Sequence, residues 1–81
     1  MSGQWRRIDD NLVEHRNGNW VWKVGEKHEV WLRIRGTLMF AGIADTKETA
    51  LKIASENMLE VLKSGVGFQT LDRWLEKHES R

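Results

Sequence analysis

Between residues 29 and 35 the side chains alternate strictly, with Val30, Leu32 and Ile34 on one side and Trp31, Arg33 and Arg35 on the other. A period of two puts successive residues on opposite faces of an extended chain, so this segment reads as a β-strand with one buried and one open face. Residues 19–24 repeat the pattern, with Trp20, Trp22 and Val24 against Val21 and Lys23. Residues 12–16 form a shorter candidate strand. Asn17-Gly18 between two such runs signals a tight hairpin of type I′, and Gly25-Glu26-Lys27-His28 is the next loop. Arg35-Gly36-Thr37 then turns the chain into residues 38–43, where Leu38 and Phe40 are expected to continue the apolar face. The expectation is an antiparallel β-meander of three to four strands over about residues 5–43, with Trp20 and Trp22 in its buried layer or at its edge.

At Asp45 the period changes. Asp45 with Glu48 three positions on forms a capping box, which predicts a helix from about residue 46 to 63. Its apolar stripe is Ala50, Ile53, Ala54, Asn57, Met58, Val61 and Leu62, while Lys47, Lys52, Glu56, Glu60 and Lys63 lie largely outside it. Ser64-Gly65 stops that helix. Thr70 caps a short second one over about residues 70–79, with Leu71, Trp74, Leu75 and His78 on one face. Sheet and long helix bury their apolar faces against each other, giving a single α+β domain over residues 1–81.

Composition narrows the function. With 81 residues the chain has room for one core and no deep catalytic cleft. The absence of Cys excludes disulfides, thiolate metal sites and Cys nucleophiles, and points to a cytoplasmic setting. The first apolar residues are scattered and no apolar run approaches a membrane span, so neither a signal peptide nor a membrane partner is expected. Asp9, Asp10 and Glu14 read as turn and surface carboxylates rather than an acid–base pair. His15, His28 and His78 lack the spacing of metal ligands, and no Ser or Thr occupies a nucleophile elbow. No enzyme, cofactor or metal is expected.

Charge points to the sheet. The net charge is only +1, but residues 1–36 carry seven basic and five acidic groups, whereas residues 37–63 carry three and four. The expected open face holds Lys23, Trp31, Arg33 and Arg35, with Arg16 close by and Val21, Met39 and His15 flanking it. Guanidinium groups bridge phosphates and guanine edges while an aromatic face stacks on bases, so this face suits DNA. Arg6, Arg7 and Trp74 are accessory candidates, the first two as a basic arm beside Trp5. Trp5 reads equally as part of an N-terminal strand. Trp, Arg and Met are also the residue types of protein-binding hot spots, and the Trp74 helix reads either as folded over the core edge or as a partner or homodimer contact.

The order strand, strand, strand, helix, with Gly18-x-Trp20, Phe40-Ala41-Gly42 and Asp45-Thr46-x-Glu48-x-Ala50, resembles the AP2 plant DNA-binding domain and the arm-binding N-terminal domains of tyrosine integrases over about residues 17–63. The resemblance implies a sheet that enters the major groove, with Lys23, Trp31, Arg33 and Arg35 as the contacting positions. The Asp-Thr-x-Glu-x-Ala grammar also recurs in HicB-like antitoxins and small phage proteins. Mixed charge and a near-neutral balance favour the alternative function, a phage or mobile-element accessory or inhibitor protein that uses the same Trp/Arg face or the Trp74 helix to block a protein partner.

Overall fold

The computed structural model describes residues 3–79. Five strands, β1 (Trp5–Asp9), β2 (Leu12–His15), β3 (Trp20–Val24), β4 (Lys27–Ile34) and β5 (Thr37–Ala44), form one antiparallel sheet in chain order. Helices α1 (Lys47–Ser55), α2 (Glu60–Ser64) and α3 (Leu71–Glu79) follow. The α+β class and antiparallel meander agree with the sequence reading. The strand count rises to five because residues 5–9 pair with β2, making Trp5 part of a strand rather than of a free basic arm.

Turn chemistry sets the register. Arg35 and Gly36, both at positive φ, form a two-residue turn of the type I′ kind that pairs Ile34 with Thr37. Gly25, at φ 64°, takes the first position of the Gly25-Glu26 turn, so the loop foreseen over residues 25–28 is only two residues long. The Asn17-Gly18 hairpin differs from the expected two-residue form. Its loop is Arg16, Asn17 and Gly18, closed by Gly18 N–H donating to the His15 carbonyl and His15 N–H donating to that of Asn19.

All three helices lie on one side of the sheet. Val21, Val30 and Leu32 face them and pack with Ala50, Ile53, Ala54, Met58 and Val61, and with Leu71, Trp74 and Leu75 of α3. Full burial of side chains such as Leu32, Ile53 and Leu71 contributes about 1.5–3 kcal/mol each. In β5 a bulge at Ala41 lets Trp31 pair with Phe40 while Val30 pairs with Gly42. Gly42, at φ 146°, is where α3 comes closest: a Cβ there would stand 2.9 Å from Leu71 Cδ2. Gly42→Ala is expected to cost about 2 kcal/mol through strain and overpacking, measured by urea denaturation.

The long helix expected over residues 46–63 is broken. Asn57, at φ 52°, ends α1 in a Schellman motif, with Asn57 N–H donating to the Ala54 carbonyl and Met58 N–H to that of Ile53. Asn was thus a stop signal, not a stripe residue. The hairpin reinforces it: the side-chain amides of Asn17 and Asn19 each donate to the Ala54 carbonyl at 2.9 Å.

The start of α1 also differs from the expected capping box. Thr46 is the N-cap, its hydroxyl accepting from Thr49 N–H, while Asp45 pairs with Lys27. Asp72 of α3 completes the cap, accepting from the amides of Asp45 and Thr46 and from the Thr46 hydroxyl at 2.7 Å. Burial acts to raise the Asp72 pKa, but these hydrogen bonds outweigh it and hold the carboxyl below its usual range. A depressed folded-state pKa gives stability that is present above the unfolded value and lost as pH falls through the folded one. Asp72→Ala should therefore cost about 1–2 kcal/mol at neutral pH. In melts followed with decreasing pH, the gap between wild type and variant should close below about pH 4.

Candidate binding face

Because direct partners share a face, the pairing of Trp20 with Trp31 and of Val21 with Val30 fixes the two sides of the sheet. Val21 and Val30 face α1, so Trp20, Trp22 and Trp31 face away from it. Trp20 and Trp22 are therefore not in the buried layer where the sequence reading placed them. Both parities of β3 are apolar, and close approach of Ala50 and Ala54 of α1 leaves room for a valine but not for two indoles. Leu38 and Phe40 move to the open face for a related reason. The two-residue turn sets Leu38 opposite Arg33 and Phe40 opposite Trp31.

The open face is therefore aromatic. Trp22 and Phe40 keep 43% and 47% of their surface exposed, and Ile43, opposite Glu29, is also exposed. Trp20, Trp22, Trp31 and Leu38 line a shallow cavity of about 140 Å³. Trp31 and Phe40 meet edge to face, with ring centroids 5.2 Å apart. Two carboxylates anchor the rings: Trp20 Nε1–H donates to Glu14 at 3.0 Å and Trp31 Nε1–H to Glu29 at 3.2 Å. The Trp20 indole, and then the Arg6 guanidinium, hold the Glu14 carboxyl below the usual carboxylate range. Neither glutamate was singled out for this role in the sequence. The available signal was spacing, since each acid shares a face with the indole it holds.

The basic candidates do not gather on this face as expected. Lys23 pairs with His28 on the helix side, where both line a small cavity with Lys47 and Leu51. Burial there, with Lys23 and Lys47 nearby, lowers the His28 pKa. Arg33 does lie on the open face, but its guanidinium donates to the Gly18 and Gly36 carbonyls, each at 3.1 Å, and stands 3.8 Å from Glu14. Arg6 is bound to Glu14 at 2.7 Å. Arg35 is exposed in the β4–β5 turn and Arg16 in the β2–β3 loop. Arg7 is opposite Val13, on the other side, and pairs with Asp10.

Of the flanking residues, Val21, Met39 and His15 all belong to the helix side, opposite Val30, Leu32 and Trp5. Trp74, expected as an accessory contact or as folded over the core edge, is packed into the core: it is 7% exposed, donates from Nε1 to Ser64 and stacks on His78 at 4.7 Å. The α3 face carrying Leu71, Trp74 and Leu75 is used within the core, and α3 leaves the Trp31 side of the sheet uncovered. Among the described residues no group of three His, Asp or Glu side chains is placed to hold a metal ion, and no helix is long and apolar enough to cross a membrane.

Fold and face together define an open-faced α+β layer with an anchored aromatic surface. Compared with known proteins, the chain shows no significant match to a protein family, a curated protein or a solved structure.

Proposed function

We propose that this chain is a non-enzymatic binding module whose aromatic face docks on an apolar surface of a protein partner, in an accessory or inhibitory role. The observation that carries this reading is the pairing of exposed rings with engaged charges. Trp22 and Phe40 stand open, while Arg6, Arg33 and Lys27 on the same side are held by Glu14, backbone carbonyls and Asp45. Affinity for duplex DNA is driven by cations that neutralise phosphates and release counterions. Cations committed to carboxylates offer little of that, and Glu14 and Glu29 add negative charge where phosphates would approach. Aromatic rings around an apolar centre with a charged rim are instead the composition of a protein-binding hot spot.

An amide-shift titration with mixed-sequence duplex DNA at low and high salt tests the choice. The expected result is no saturable shift at residues 20–43. Saturable shifts there whose affinity falls steeply with salt, as about three to five phosphate contacts would produce, would overturn the protein reading in favour of DNA.

A further inference from the structure

The cavity of about 140 Å³ on the open face is walled by Trp20, Trp22, Trp31 and Leu38, with no polar atom in its lining. Such a wall of carbon and ring faces accepts either an apolar group or an organic cation, and the groups around it separate the two. The Nε1–H of Trp20 is committed to Glu14 and that of Trp31 to Glu29, so neither ring can donate to an acceptor on an incoming group. Their π faces are what remains. A carboxylate on an indole N–H also pushes electron density into the ring, which deepens the negative potential over its face and strengthens its attraction for a cation.

Charge at the rim points the same way. Glu14 is answered by Arg6 at 2.7 Å and by Arg33 at 3.8 Å. The ion pairs among the described residues leave Glu29 without a cation, and its bond to Trp31 uses Oε1 alone, so Oε2 is open to a ligand. The register sets Glu29 directly opposite Trp22 and two residues from Trp31 on the same face, beside two of the three indoles. Lys27, the next base along that face of β4, is held by Asp45. We infer that the cavity receives an arginine side chain of the protein partner, its guanidinium flat against the indole faces and its N–H groups directed at Glu29 Oε2. Arginine fits better than lysine because a guanidinium is planar, stacks on aromatic rings, is more weakly hydrated than an ammonium, and offers a carboxylate two parallel donors. The inference rests on the protein-binding reading of this face and deepens it: within the apolar contact, one guanidinium is the anchor.

Titration of the full chain with N-acetyl-arginine amide, read on the indole N–H signals by NMR, tests it. Saturable shifts are expected at Trp20, Trp22 and Trp31 with a Kd of about 1–10 mM, the scale for a single isolated side chain. N-acetyl-citrulline amide, which has the same shape without the charge, should give no saturable shift up to about 50 mM. Trp22→Ala should weaken arginine binding at least about tenfold. Glu29→Gln, which keeps an oxygen for the Trp31 N–H, should weaken it about five- to tenfold. Equal responses to arginine and citrulline overturn the inference, as does an arginine affinity that Trp22→Ala or Glu29→Gln leaves unchanged. N-acetyl-lysine amide that binds as tightly as arginine overturns the assignment to a guanidinium. The two readings fail separately: a cavity that ignores arginine while duplex DNA gives no response overturns this inference alone, whereas saturable DNA shifts overturn the protein reading and with it the protein source of the guanidinium.

Discussion

Asn19→Ala is expected to destabilise the protein by about 3–5 kcal/mol, near the upper end for a single substitution. Asn19 is 1% exposed and its amide joins three elements. Nδ2 donates to the Ala54 carbonyl and to Asn57 Oδ1, both at 2.9 Å, while Oδ1 accepts from Arg33 N–H at 2.7 Å. Truncation removes all three bonds and strands the Arg33 amide in a part-buried position, where the full desolvation penalty applies. Asn19→Asp should be comparably harmful, since a carboxylate in place of Nδ2 would confront two oxygens. Asn17 is exposed and shares the Ala54 acceptor, but its Oδ1 also accepts from Asn19 N–H at 2.9 Å, so Asn17→Ala should cost about 2 kcal/mol, less than Asn19→Ala. Urea denaturation of the three variants measures the order. A loss below about 1 kcal/mol for Asn19→Ala would show that this junction does not hold α1 to the hairpin.

Trp22→Ala and Phe40→Ala are each expected to weaken partner binding by about 30–100-fold, equivalent to roughly 2–3 kcal/mol, with little change in melting temperature. Both rings are nearly half exposed on the side away from the core, so truncation removes contact surface without opening a cavity in the packed layer. Trp31→Ala is a less clean probe. Its indole is bound to Glu29 and packed on Phe40, so its loss would disturb the face itself. Arg33→Ala should affect stability more than partner affinity, because its guanidinium ties the β2–β3 loop to the β4–β5 turn.

The fold class was legible because β4 has only one apolar parity. Val30, Leu32 and Ile34 cannot be buried without exposing Trp31 and Arg33. β3 was not legible in the same way: Trp20, Val21, Trp22 and Val24 supply apolar groups to both faces, and the choice was made by the space beneath α1. That single parity error moved Lys23 onto the wrong side and assigned the indoles to the core. Counting from the Arg35-Gly36 turn would have placed Leu38 and Phe40 correctly, since Ile34 opposite Thr37 puts Leu38 opposite Arg33. The break at Asn57 escaped a periodicity argument because Met58 and Val61 resume an apolar pattern after it. The ties from Asn17 and Asn19 are contacts between residues more than thirty positions apart, which no local pattern reports.

The most direct measurement is quantitative affinity capture with immobilised wild type, Trp22→Ala and Arg33→Ala/Arg35→Ala proteins in parallel, washed at about 0.5 M salt with and without nuclease. The aromatic-face account predicts one protein retained by wild type and by the double-arginine variant, insensitive to nuclease and lost from Trp22→Ala. Retention that nuclease abolishes, or that the double-arginine variant loses while Trp22→Ala keeps it, would contradict the account and return the open face to nucleic acid.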